Sequence, residues 1–139
     1  MIIRKCDDYF LIKIFKDNIQ NWDAFDIDSI KTVFQNIFNK LNKKYDLHGL
    51  IYAEVYVNEY YGIIIELQPI ESYFDEIDIR IKMHLDTTFL VNVNSDSICE
   101  YTDIYYYKGK FYGNYVEKSD SEVFYKDTEN IIEKGIKVC

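Results

Sequence analysis

Ile77-Asp78-Ile79-Arg80-Ile81-Lys82-Met83-His84-Leu85 alternates apolar and polar residues without a break. A period of two marks a strand, because successive side chains leave a sheet on opposite sides. Ile77, Ile79, Ile81, Met83 and Leu85 therefore share one side, and Asp78, Arg80, Lys82 and His84 share the other. Asp86-Thr87-Thr88 then turns the chain, and Phe89, Val91 and Val93 line one side of a return strand. Asn94-Ser95-Asp96-Ser97 reads as loop.

The same pattern extends in both directions. Tyr9 to Phe15 reads as a strand apolar on nearly both sides, and Leu50 to Val57 is rich in β-formers. Asn58-Glu59-Tyr60-Tyr61-Gly62 has turn chemistry, Ile63 to Leu67 returns, and Pro69 ends that strand because it cannot donate to a ladder. Downstream, Asp103 to Tyr107, Lys108-Gly109 and Lys110 to Val116 form a third hairpin. Ser119-Asp120-Ser121 precedes a C-terminal helix over about Asp127 to Lys134, with Gly135 as its stop; Glu122 to Lys126 fits helix and strand equally.

Only one segment has a strong period near 3.6. From about Asp26 to Tyr45, Ile27, Ile30, Val33, Phe34, Ile37, Phe38 and Leu41 draw one apolar stripe. Asp26 or Asp28 is expected to cap its start, and Asp23-Ala24-Phe25 to make a staple-like contact. Lys40, Lys43 and Lys44 close it, where cations favour the negative end of the helix dipole, and Gly49 follows for chain reversal. The expected fold is α+β: a mostly antiparallel sheet of successive hairpins, one face covered by one long amphipathic helix, and a short C-terminal helix.

A chain of 139 residues fits a single domain over 1–139. Area scaling puts roughly 69% of the unfolded surface of such a chain inside, enough for a core without disulfides or metals. Hydrophobic residues at 48%, with one proline and five glycines, argue against disorder. No run is long enough to span a bilayer and the first residues lack a signal-peptide stretch, so a cytoplasmic protein is expected. Cys6, Cys99 and Cys139 are odd in number and far apart, and only His48 and His84 could join them, so no metal site is expected.

Chemical motifs are few. A Gly-rich phosphate loop, a Gly-x-Ser-x-Gly elbow and a His-Glu-x-x-His pair are all absent, and no cofactor is expected. Gly109 and Gly113 have the spacing of a hairpin. Glu71, Asp75, Glu76 and Asp78 lack the glycine and ligand spacing of a calcium loop and read as a solvated acidic segment. Asp78, Arg80, Lys82 and His84 are the one concentrated set of ionisable types on a rigid element. Neighbours on one side of a strand lie about 7 Å apart, so they could hold a phosphoryl group and move a proton. A solvent-facing strand of mixed charge has the same sequence. Arg80 also stands where a nuclease-like carboxylate-x-lysine pattern needs lysine. His48, beside Gly49, reads as a loop or cap residue.

Fourteen tyrosines in a chain of net charge −8 point to recognition instead. Tyrosine joins an apolar ring to a polar tip and suits interfaces, although AT-rich codon usage enriches it as well. Acidic residues number 24 against 16 basic, which disfavours direct binding of nucleic acid. On the third hairpin Tyr105 and Tyr107 share one side and Tyr106 takes the other, with Glu100, Asp103 and Glu117 nearby. The competing explanation is ordinary cross-strand aromatic packing. The partner-binding set expected from these patterns is Tyr106, Tyr112, Asp103 and Glu117, against a protein target whose charge a basic surface would complement, with no membrane contact. The resulting expectation is a non-enzymatic interaction domain of immunity, antitoxin-like or inhibitor type. A regulatory adaptor is the alternative, and a small hydrolase or nuclease using Asp78, Arg80 and His84 is the alternative of another class. Exposed strand edges also allow a homodimer.

Overall fold

The structure, a computed structural model, describes residues 2–19, 27–45, 47, 49–70, 77–94, 103–114 and 122–138. Among the described residues it is a sheet-rich α+β fold with two helices. In order come β1 (Ile2–Lys5), β2 (Phe10–Phe15), a 3₁₀ turn (Lys16–Asn18), α1 (Ile27–Asn42), β3 (Gly49–Asn58), β4 (Gly62–Pro69) and β5 (Ile77–His84). Then follow β6 (Leu90–Asn92), β7 (Ile104–Tyr107), β8 (Lys110–Asn114), β9 (Val123–Phe124), α2 (Thr128–Lys134) and β10 (Ile136–Lys137). The strands form two five-stranded sheets, ordered β1-β2-β4-β3-β5 and β10-β7-β8-β6-β9.

Two compact units divide the chain: Met1–Val55 with Ile64–Met83, and Tyr56–Ile63 with His84–Cys139. In the first, β1 pairs antiparallel with β2, Ile3 opposite Ile12. Within β4, Ile64 and Ile65 point to opposite sides and neither is exposed at all. A strand covered on both sides belongs inside a sheet, and β4 lies between β2 and β3. The α1 stripe buries Phe34, Ile37, Phe38 and Leu41, as its period requires. Past Asn42, where the helix ends, the amides of Lys44 and Tyr45 both turn back to the Leu41 carbonyl and close a final turn. Tyr45 then meets the edge of Phe10 at 5.0 Å between centroids, with the ammonium groups of Lys5 and Lys44 over its ring at 5.2 and 5.5 Å.

In the second unit β7 and β8 form the expected hairpin, with Tyr105 opposite Tyr112 and Tyr106 opposite Phe111. Lys108 and Gly109 both take positive φ (48° and 82°), the signature of a tight two-residue turn whose twist matches the strands. β6 pairs with β8 on one side and β9 on the other. Phe89, Leu90, Val91 and Val93 are all buried, so this strand is covered on both sides rather than the one its alternation suggested.

Several expectations need correction. The structure does not support one long helix covering one face of a single meander. The hairpins are divided between two sheets, and α1 takes 16 residues, ending short of Tyr45. Asp28 lies within the first turn, its side chain exposed and 4.0 Å from Lys31, so it is a first-turn charge rather than the cap. Asp26, Asp23-Ala24-Phe25 and Ser119-Asp120-Ser121 lie outside the described residues. The ambiguous Glu122–Lys126 segment contains the short strand β9. Gly135 does follow α2, but its φ of −75° is open to any residue. Space is its constraint: a Cβ there would clash with the Ile131 carbonyl oxygen. β1 and β10 were not legible, since each is short and mostly exposed.

Burial sets the first expected outcome. Ile37 is fully buried, so Ile37→Ala should cost about 2–5 kcal/mol in unfolding free energy, the range for emptying a packed site. Chemical denaturation gives the value; a midpoint equal to the parent's would mean that the stripe is not core.

Candidate binding cleft

Asn58 organises the second unit's loops. It is buried, and its side-chain carbonyl accepts the amides of Tyr60 (2.9 Å) and Tyr61 (3.0 Å), closing the turn after β3. Its amide donates to the Thr87 carbonyl at 2.9 Å. Thr87 in turn donates its amide to the Val57 carbonyl and its hydroxyl to the His84 carbonyl, each at 2.9 Å. The loop after β5 is therefore fastened by backbone and side chain together, with Asp86 held at φ 55°.

The segment before α2 forms the opposing wall. Asp127 sits at φ 57°, and its carbonyl accepts the amides of Asn130 and Ile131 at 3.1 and 3.4 Å, starting the helix without a side-chain cap. The two segments enclose a cleft of about 540 Å³. Its aromatic wall is Tyr56, stacked face to face on His84 at 4.5 Å and 5°, with Tyr125 tilted against Tyr56 at 4.9 Å. Asp86, Asp127 and Glu129 also line it, against Lys126. Three carboxylates and one ammonium line the cleft, a balance of charge that favours a cationic group over an anion.

A second hollow of about 380 Å³ shares Asp86, Thr87 and Thr88 with the first and adds Glu59 and Tyr60. Tyr60 is 55% exposed. Its hydroxyl donates to the Glu59 carboxylate, and this bond, reinforced by the negative charge, raises the phenol above its ordinary pKa.

The residues expected from sequence are distributed differently. Tyr106 is 39% exposed and packs on Phe111 at 5.1 Å. Tyr112 is buried on the other side of the hairpin, edge-on to Phe124 at 5.3 Å in a cluster with Leu90 and Ile131. The Asp103 carboxylate accepts from Lys137 at 3.0 Å and from Asn114 at 3.2 Å. That hydrogen bond, with the charge of Asp103, raises the Lys137 pKa. Glu117, Glu100, His48, Cys99, Cys139, Glu71, Asp75 and Glu76 lie outside the described residues. Asp78 and Arg80, in the first unit, form an exposed ion pair at 3.2 Å. His84, in the second, lines the cleft, and neither Asp78 nor Arg80 does. Among the described residues no group of three His, Cys, Asp or Glu side chains is placed to hold a metal ion, and no helix is long and apolar enough to cross a membrane.

Sequence reasoning flagged His84 and the turn at Asn58, yet missed the Tyr125–Asn130 wall. No motif marks that segment, and it lies far along the chain from the Asp86 loop. No family model, curated protein or solved structure matches the chain.

Two outcomes follow from these bonds. Asn58→Ala leaves the buried Tyr61 amide without its acceptor and should destabilise by about 1–3 kcal/mol, read by denaturant titration; hydrogen exchange at Tyr61 should accelerate. Glu59→Ala removes the acceptor and charge that hold the Tyr60 proton, so its phenol should fall towards the ordinary 10.0. An NMR titration of the Tyr60 ring resolves this, and an unmoved midpoint would contradict the contact.

Proposed function

We propose that this chain is a non-enzymatic, acidic protein-interaction domain of immunity, antitoxin-like or inhibitor type, acting in the cytoplasm on a basic protein target. The observation that carries the reading is the second unit's cleft, where Asp86, Asp127 and Glu129 flank the stacked Tyr56–His84 pair and Tyr125. A lysine or arginine side chain of the target suits it: carboxylates neutralise the cation, and aromatic rings accept its apolar stem or its guanidinium plane. Net charge −8 steers such a target inward and repels nucleic acid. Tyr60, exposed in the adjoining hollow, extends the contact, whereas Tyr106 is exposed but lines neither hollow. Tyr112 is buried and Asp103 is bonded within the fold, so they have less to give a partner.

A hydrolase or nuclease is the second reading, favoured by one observation: His84 lines a concave site beside Asp86 and Thr87. Such a site would work with those neighbours rather than with Asp78 and Arg80.

The test uses fluorescent oligo-arginine and oligo-lysine peptides in rapid mixing, with single-stranded DNA as an anionic control, followed by affinity capture of the native target. Association should slow with added salt, because screening shortens the attraction to about 8 Å at physiological ionic strength. Asp127→Asn with Glu129→Gln should chiefly slow association, and His84→Ala should chiefly speed dissociation. Salt-independent binding, insensitive to all three substitutions, would refute the reading. Hydrolytic turnover that disappears in His84→Ala would establish the enzyme instead.

A further inference from the structure

β5 stands at one edge of the first sheet, and among the described residues β3 is its only strand neighbour. The strand is eight residues long and has neither proline nor glycine. Asp78 and Arg80 leave it on one side, their side chains 61% and 68% exposed. The Asp78 carboxylate accepts from Arg80 Nε and Nη2 at 3.3 and 3.2 Å. On the other side Ile81 is 44% exposed, and Ile79 and Met83 are partly so. Open strand edges invite pairing, and proteins usually guard them with proline, brevity or charged side chains. β5 is neither short nor interrupted by proline, and its charges, Asp78, Arg80 and Lys82, are of both signs, with Asp78 and Arg80 in a self-complementary order.

We propose that β5 pairs antiparallel with β5 of a second copy of this chain, about a two-fold axis through Ile79, joining the two edges into one continuous sheet. In such a pair, residues equally spaced on either side of the axis stand opposite each other and on the same face. Asp78 then faces Arg80 of the second copy, Arg80 faces its Asp78, and Ile79 faces Ile79. The charges choose this register. An axis through Arg80 would set Asp78 against Lys82 on either side but would put two arginines opposite one another at its centre, and an axis through Ile81 would set Arg80 against Lys82. Backbone bonds and the covering of Ile81 supply the attraction, while the two reciprocal ion pairs select the alignment. The Asp78–Arg80 pair within each strand exchanges for the one across the axis at little loss, because exposed ion pairs contribute little.

Sedimentation velocity and native mass spectrometry on the full chain test this. The parent should self-associate at micromolar concentration. Asp78→Arg puts arginine at both facing positions and Arg80→Asp puts aspartate there, so each variant alone should associate roughly tenfold more weakly or worse. Mixing the two should restore a dimer of mixed mass, since each then supplies the charge the other lacks. Circular dichroism should match the parent, because both side chains are exposed. As a second measurement, Ile79→Cys in a background of Cys6→Ser, Cys99→Ser and Cys139→Ser should oxidise to a covalent dimer, since directly opposed strand residues lie within disulfide reach. A parent that stays monomeric at every soluble concentration would overturn the proposal. So would single variants that associate like the parent, a mixture that stays monomeric, or Ile79→Cys chains that do not cross-link.

Discussion

Covering β4 on both sides is the constraint from which much of the architecture follows. Ile64, Ile65 and Leu67 are wholly removed from solvent, and neighbouring strand residues point to opposite sides. Such a strand is stable only with material above and below and a strand on each flank, which is the position between β2 and β3. Each fully covered aliphatic side chain of this size contributes about 1.5–3 kcal/mol relative to exposure. This run therefore weighs more than any polar contact in its unit. Of its flanking strands, β2 shares the property at Leu11 and Ile12, both buried, whereas β3 is covered on the side of Ile51, Ala53 and Val55 and leaves Tyr52 on the other side 45% exposed.

Polar groups have a different task, which is to place loops. Asn58 is the clearest case, because both ends of its amide are used and all three partners are backbone. Hydrophobic burial has no preferred direction, so it cannot set the position of a loop such as Asp86–Thr88. Directional bonds can. The cleft in the second unit is thus a product of hydrogen bonding on an apolar foundation, in which Tyr61 and Phe89 meet at 5.2 Å.

Local periodicity made the elements legible, and it did so where a single side chain's direction decides the matter. The Ile77–Leu85 alternation gave β5, the stripe from Val33 to Leu41 gave α1, and Lys108-Gly109 gave the turn between β7 and β8. Coverage was not legible, because it depends on what packs above a residue rather than on the residue itself. Ile81 remains 44% exposed and Tyr112 only 9%, although their local patterns suggested the reverse. The division into two sheets was hidden for the same reason: each hairpin looks alike from within. Of the candidate site, the turn at Asn58 and the histidine at 84 were visible. The Tyr125–Asn130 wall was not, since proximity between segments so far apart in the chain leaves no mark on a motif.

Asp86 and Asp127, which line the cleft, both carry backbones in the left-handed region. Glycine occupies that region without steric cost, and asparagine reaches it about as readily as aspartate. Random drift in a lineage would therefore move these two positions towards residues that relax the backbone and leave the loops in place. Keeping a carboxylate at both sets local comfort against whatever the charge does. Among natural variants of this protein, the side chains found at 86 and 127 thus form a record of selection, separate from the record of folding kept by the core.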